Sequence, residues 1–355
     1  MSAIRWADVV FKPNIMRLLL LLCLVGGLVA CQGKKEVKFL QLNVWQEGTS
    51  VKGGYEAMAD EIARVDADFV MLSEVRNYKN TRFCDRITES LKERGKTYYS
   101  FYSYDSGLLS KYPIKDSATI FPEKGDHGSI YKLVADMDGQ EVAVYTAHLD
   151  YLNCSYYLVR GYSGSNWRRL DSAVVNVDSL LADNVASQRD DAIRLFIADA
   201  QKELAKNRLV FIGGDFNEPS HLDWTEATKD SADHHGVVIP WTVSTLLENA
   251  GFKDAYRVFY PDPVKNPGYT YPADAATVDV KRLTWAPESD ERERIDFIYY
   301  FPAEQLNLTN AVIFGPRGSI RNSERIKENT ADVFVEPLGI WPTDHKGVIA
   351  EFRLN

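Results

Sequence analysis

The chain has 355 residues, 45% of them hydrophobic and 26% charged, a balance that allows a large buried core and excludes a disordered or fibrous protein. Its formal net charge of −9 argues against a protein that coats nucleic acid, because such binding rests on neutralising phosphates with lysine and arginine. An enzyme that grips a phosphate locally stays open.

Residues 1–30 read as a signal peptide of the lipoprotein type. Arg17 precedes an apolar run from Leu18 to Ala30, too short for a permanent bilayer span and suited to a signal h-region. Leu28-Val29-Ala30-Cys31 resembles the lipobox of bacterial lipoproteins. That resemblance implies cleavage before Cys31, lipidation of its thiol, a tether over residues 31–36 and a lipid-anchored place in the bacterial cell envelope, on the outer membrane facing the periplasm. Met16, directly before Arg17, is an alternative start. With Cys23 in the signal and Cys31 lipidated, Cys84 and Cys154 remain in a compartment that permits disulfides, and both a bridge and two free thiols stay open.

Residues 36–44 form a first strand that delivers Asn43 at its end. Tyr55, Met58, Ala59, Ile62 and Ala63 recur at the spacing of one helix face. Asp68 to Leu72 is a buried strand ending in Ser73-Glu74, a second helix fits 81–94, and short aromatic strands fit 98–104 and 107–110. Residues 129–137 and 141–148 pair as a hairpin around Asp138-Gly139, and the second arm ends in His148-Leu149-Asp150. An insertion near 151–188 follows, longer than an ordinary connection. Ile193, Phe196, Ile197, Ala200 and Leu204 then mark a helix feeding Leu209 to Ile212, a strand buried on both faces. Gly213-Gly214 lets the backbone approach a neighbour closely before Asp215 and Asn217, which share one side of an extended chain. A helix over 241–250, a Pro- and Tyr-rich loop to about residue 292 and strands at 295–300 and 347–354 complete the order. Nothing resembling a linker interrupts it, so residues 37–355 read as one domain. Mixed strand order with flanking helices predicts a mixed sheet or pair of sheets with outer helices. No glycine-rich phosphate loop of the dinucleotide or P-loop type is present.

Polar residues end apolar strands at Asn43, Glu74, His148, Asp215 with Asn217, and Asp344-His345. Asp296 stands among residues otherwise suited to a core strand, and a buried carboxylate needs a donor or a cation; His345 is the candidate. Taken singly, these residues have plainer readings. Gly-Asp-x-Asn also closes strands as an Asx turn, and a strand-end histidine often bonds backbone. Asp150 either supports the site or makes a turn. Arg189 and Arg76 either reach a phosphate or join salt bridges, and His221 and Trp224 either line a cleft or pack.

Together, Leu42-Asn43-Val44-Trp45, Leu72-Ser73-Glu74-Val75, Gly107 to Ile114, Thr146 to Asp150, Gly214 to Asn217, Arg294 to Ile298 and Thr343-Asp344-His345 resemble, in order, the endonuclease/exonuclease/phosphatase superfamily with its deoxyribonuclease I-like fold. The resemblance implies a four-layer α/β/β/α sandwich of two packed mixed β-sheets with outer helices. It also implies hydrolysis of a phosphoester with Mg²⁺, or Mn²⁺ in its place, held by Glu74 with Asp344 or Asn43. His345, paired with Asp296, would be the general base and Asp215 would orient the water, while Asn217, His148 and Asn43 would bind phosphoryl oxygens. The expected substrate is a small phosphoester or a phospholipid-like headgroup, acted on by a monomer held to the membrane by its lipid. DNA or RNA enters as the substrate of a nuclease with the same mechanism, and a binding lipoprotein without chemistry is the third reading. In the insertion, Tyr156, Tyr157, Tyr162 and Trp167 with Arg160, Arg168 and Arg169 either stack a base or sugar and hold a second phosphate or pack as a lid; Tyr269, Tyr271 and Trp285 raise the same question from the opposite wall.

Overall fold

In the computed structural model, which describes residues 35–355, the chain begins with β1 (Lys35–Asn43), α1 (Gly54–Val65), β2 (Phe69–Val75), α2 (Phe83–Glu93), β3 (Tyr99–Ser100) and β4 (Asp105–Ser110). It continues through β5 (Ile114–Phe121), β6 (Gly128–Met137), β7 (Gln140–Leu149), α3 (Tyr156–Val159), α4 (Val177–Asn184), α5 (Arg189–Leu204) and β8 (Leu209–Asp215). The last part comprises α6 (Thr242–Asn249), β9 (Lys253–Asp254), α7 (Ala255–Phe259), β10 (Asp296–Tyr300), β11 (Leu306–Phe314), β12 (Gly318–Arg321), β13 (Glu324–Lys327), β14 (Phe334–Val335) and β15 (Gly347–Leu354). The expected signal segment and Cys31 lie outside the described residues, and Lys35 and Glu36, expected in the tether, already belong to β1. No helix among the described residues is long and apolar enough to cross a membrane.

Two mixed sheets carry the fold, one ordered β14-β11-β15-β1-β2-β4-β3 and the other β5-β6-β7-β8-β10-β9. Alternation along the strands explains why they stack. On β1, Val37 and Phe39 face the second sheet and Leu40 and Leu42 face outward; on β8, Leu209 and Phe211 face inward while Val210 and Ile212 face out. Phe39 stacks on Phe211 at 4.1 Å between ring centroids, with Phe352 edge-on to both. Outside the first sheet, Met58 and Ile62 of α1 and Phe83 and Ile87 of α2 cover Leu40, Val70 and Leu72. Outside the second, Ile193 and Phe196 of α5 and Val243 and Leu247 of α6 cover Tyr145, Val210 and Ile212. The result is the four-layer α/β/β/α sandwich.

Several elements differ from the sequence reading. The aromatic strand expected at 98–104 is only Tyr99–Ser100, and β5, β11 and the β12–β13 hairpin appear where none was expected. Cys84 and Cys154 are both buried and free: Cys84 packs in the layer beneath α2, whereas Cys154 belongs to the insertion.

Candidate active site

The gap between the sheets is apolar at one end and polar at the other, and the strand ladder creates the change. β7 runs parallel to β8, and β10 antiparallel to it, in a register that sets His148, Asp215 and Asp296 side by side in one row. β1 pairs in parallel with β2, so Asn43 and Ser73 arrive together from the facing sheet. Close approach is built in at Gly214, where a Cβ would stand 1.9 Å from the Ala147 carbonyl oxygen. Hydrogen bonds then lock sheet to sheet. The Asp215 N–H donates to Ser73 Oγ (3.0 Å), and that hydroxyl donates to the Ala147 carbonyl (2.9 Å). Asn43 Nδ2 donates to Asp215 Oδ2 (2.9 Å) and to Glu74 Oε1 (3.1 Å), and Gln41 Nε2 donates to Asp296 Oδ1 (2.8 Å). Glu74 sits at an irregularity between Ser73 and Val75 with φ +65°, which turns its side chain out of the strand's alternation.

Each histidine has a carboxylate behind it. His345 Nδ1 lies 2.9 Å from Asp296 Oδ2, and its Nε2 lies 3.7 Å from Asp215 Oδ2. Burial opposes charge on this ring, but Asp296 and Asp215 outweigh it and hold the imidazole protonated well above the ordinary histidine range. His148 Nδ1 lies 2.7 Å from Asp105 Oδ1. Burial again opposes, yet Asp105 lifts His148 to about 9. Asp105 is held in turn by Ser129 Oγ (3.0 Å) and Arg76 Nη1 (2.8 Å). Burial raises Asp215 to about 6 despite the two histidines, and burial raises Asp344 to about 7 against His345, with Glu74 adding to the rise.

These groups meet at a cavity of about 290 Å³. Glu74, His148, Asp215, Asn217, Asp344 and His345 line it, as expected of them. Asn217 has φ +49°; its N–H donates to Asp215 Oδ1 and its Nδ2 to the Leu149 carbonyl, both at 2.9 Å. Asn43 and Asp296 do not reach the cavity. Both are fully buried, and the Asn43 Oδ1 accepts the Trp45 N–H, so Asn43 positions Glu74 and Asp215 instead of offering itself to a ligand. The reading of these strands missed Asp105, Ser73 and Gln41. Asp105 precedes the Gly107 stretch at φ +67°, and Gln41 and Ser73 act through partners on other strands that no local spacing marks.

The undecided residues separate. Arg189 is buried behind the cavity wall: Nη1 donates to the Asp150 and Leu152 carbonyls and lies 3.9 Å from Cys154 Sγ of the lining, Nη2 donates to the Asn153 carbonyl and Asn184 Oδ1, and Nε to Glu218 Oε2. Asp150 accepts the Leu152 N–H in its own turn and the Gln188 N–H from the far end of the insertion, and it lies 3.2 Å from His127 Nδ1, without lining the cavity. His221 bonds Ser244 and Glu248 away from the cavity, and Trp224 is buried against His234. Arg76 lines the cavity, paired with Asp105 and Asp126. Tyr151, Tyr156, Tyr157 and Trp167 of the insertion and Tyr271 and Trp285 of the later loop form its walls, whereas Tyr269 lies elsewhere.

The donor set suits a hard cation. Glu74 and Asp344 offer carboxylate oxygens, no ion pair joins either one among the described residues, and Asp344 receives only a 3.5 Å hydrogen bond from Thr343. Crowded, unmatched carboxylate oxygens are what a divalent ion of the Mg²⁺ type takes. Asp215, Asp296 and His345 also bring one ligand atom each within 4.8 Å of one another, but there the imidazole and Asp296 already bond each other.

A family model described as Endonuclease/Exonuclease/phosphatase family matches residues 40–345. The chain belongs to that family. Members of the endonuclease/exonuclease/phosphatase family are generally phosphoester hydrolases that use a divalent metal. The chain is 28% identical over 270 residues to an uncharacterized Caenorhabditis elegans protein, F14F9.5, covering 74% of this chain and 78% of that one. Two solved structures share the fold. D. rerio TDP2 complexed with single strand DNA product is 16% identical, with a TM-score of 0.52 over 90% of this chain and 99% of that one. The human Nocturnin catalytic domain with bound sulfate anion is 13% identical, with a TM-score of 0.50 over 91% of this chain and 98% of that one.

Proposed function

We propose that this protein is a divalent-metal-dependent hydrolase of small phosphoesters. One observation carries the reading: His345, backed by Asp296, and Asp215 line the same cavity of about 290 Å³ as His148 and Asn217. A phosphoester needs a proton acceptor for the attacking water, donors for the phosphoryl oxygens and neutralisation of the charge that develops, and this set covers all three.

In the proposed reaction water lies against Asp215 and His345 Nε2. Those two groups, 3.7 Å apart, titrate as a coupled unit: with the imidazole held protonated, His345 Nε2–H orients the water and Asp215, raised to about 6, accepts its proton. Asp296 fixes Nδ1 and compensates the imidazolium. His148, kept charged by Asp105, donates to a phosphoryl oxygen, and the second N–H of the Asn217 amide does the same beside it. Glu74 and Asp344 would hold the cation, which supplies charge neutralisation at the phosphoryl group and the leaving oxygen. Asn43 keeps Glu74 and Asp215 in place.

A small substrate is favoured over a polymer because the two walls meet at the rim. Trp167 of the insertion lies 4.9 Å from Trp285 of the later loop, ring centroid to ring centroid, which narrows what would otherwise be a trench. The net charge of −9 adds to this. The proposal extends to a monomer, since one chain builds the whole cavity, anchored in the bacterial cell envelope through a lipid on Cys31.

The test is a substrate panel with Mg²⁺: bis(p-nitrophenyl) phosphate, p-nitrophenyl phosphate, phospholipids, plasmid DNA and RNA. Small esters should turn over, chelation should stop them, Mg²⁺ or Mn²⁺ should restore them, and His345→Ala should lower kcat by about a thousandfold. Rapid plasmid nicking without turnover of small esters would make the protein a nuclease; no turnover of any substrate would end the hydrolase reading.

A further inference from the structure

Beyond the phosphoryl end, the cavity is walled by rings whose arrangement discriminates between kinds of substrate. Tyr151 and Trp167 lie with their planes 4° apart at 6.1 Å, and Trp285 leans on Trp167 at 35° and 4.9 Å. Trp285 is 49% exposed, so the stack ends in an open indole. Trp167 is held at φ +55°, a left-handed conformation unfavourable for a large side chain. Its N–H bonds the Ser163 carbonyl at 3.0 Å, and the insertion behind it is pinned by Arg189 and by Arg160, which bonds Glu293 and the Asp290 and Ala232 carbonyls. The insertion is a fixed wall.

Two features limit what this wall accepts. A quaternary ammonium is bound by ring faces turned towards a common centre, whereas Tyr151 and Trp167 lie parallel and Trp285 tilts only 35° from Trp167, so the three offer successive planes. A second phosphate needs a cationic side chain that is not already paired, and the lining holds no lysine. Arg160 and Arg169 are joined to Glu293 and Glu288, Arg168 lies outside the lining, and the charge of Arg76 is matched by Asp105 and Asp126. Asp126, half exposed at the rim, repels further anions.

We infer that the substrate joins a single phosphoryl group to a flat ring, as in an ester of a nucleoside monophosphate, with the ring extending the stack formed by Trp167 and Trp285. This rests on the hydrolase reading for the phosphoryl end, while the ring site stands on the stack itself. Two chromogenic diesters with the same leaving group test it: thymidine 5′-monophosphate p-nitrophenyl ester and p-nitrophenyl phosphorylcholine. The thymidine ester should show a kcat/KM about tenfold or more higher, and Trp285→Ala should reduce that ratio by about tenfold through KM, as stacking worth about 1–3 kcal/mol per base requires. In parallel, AMP, ADP and phosphocholine are bound to the whole protein and followed by tryptophan fluorescence, which needs no turnover. AMP should bind tightest, and Trp285→Ala should weaken it. Binding of AMP without hydrolysis of any ester supports the ring site while removing the hydrolase reading. Equal or better use of the choline ester, tighter binding of ADP than AMP, or a Trp285→Ala variant with unaltered selectivity overturns the inference.

Discussion

Replacing Asp105 by Asn keeps the shape of the pocket behind His148 and removes its charge. The pair is short, 2.7 Å, and both residues are buried, so solvent screens it little. His148 is lifted from 6.5 to about 9, and at 1.36 kcal/mol per pKa unit that is about 3 kcal/mol of preference for the charged ring. The sign follows from the direction. The folded state binds this proton more tightly than the unfolded chain, so the pair's contribution to stability is complete below about pH 6.5 and is lost as pH rises through about 9. In the wild type about 1 ring in 100 is neutral at pH 7; in Asp105→Asn burial is opposed only by Asp215 and Glu74, and the midpoint falls well below 9. The midpoint is read from the His148 ring protons by NMR, alongside the pH profile of kcat/KM on bis(p-nitrophenyl) phosphate. Activity of the variant should fall about a hundredfold at pH 8 and partly recover towards pH 5.5, and the stability difference between the proteins should shrink above pH 9. An NMR midpoint that stays near 9, or a loss of activity uniform in pH, would refute the assignment of His148 as a charged donor set by Asp105.

Gly214→Ala places a Cβ 1.9 Å from the Ala147 carbonyl oxygen, which β7 and β8 must separate to admit; thermal melts should show a loss of about 3 kcal/mol, and hydrolysis should fall because Asp215 moves with the strand. For Glu203, burial alone would raise the carboxyl, but Lys132 and Arg208 hold it down to about 2. Its contribution is therefore present above about pH 4.5 and lost as pH falls through about 2. Glu203→Gln should cost about 2 kcal/mol at pH 7 in urea melts, solvent screening part of the pairing, and well under 1 kcal/mol at pH 2, where the carboxyl is half protonated; an equal cost at both pH values would show that packing, not charge, is responsible.

The fold was legible wherever one periodicity ran undisturbed. β8, β2 and α1 are long apolar or one-faced segments, and the Asp138-Gly139 hairpin turn stands as expected with φ of +57° and +102°. β5 was missed because it is an edge strand whose Lys115, Asp116 and Ser117 face water, leaving little apolar signal. The β12–β13 turn at Asn322-Ser323 lacks the glycine that usually marks such hairpins. At the site, strand-end acids and histidines could be read because a polar residue closing an apolar run has no packing role. Asp105 and Gln41 could not, because their function lies in pairing across strands far apart in sequence: Gln41 meets Asp296, 255 residues away. The arginines of the insertion were also ambiguous, since a sequence does not say whether a guanidinium faces a ligand or its own backbone.

Arg189 gives all five of its N–H groups to the segment it follows and to Glu218, so the aromatic wall is cantilevered from a residue just outside the insertion's boundary. Anyone transplanting residues 151–188 into another member of the family to alter its selectivity would leave that anchor behind. A working graft must carry Arg189 and Glu218 with it, and Val243 too, whose N–H Glu218 accepts. The exchangeable unit is thus a loop plus its mooring, while the row of His148, Asp215 and Asp296 along β7, β8 and β10 stays with the recipient.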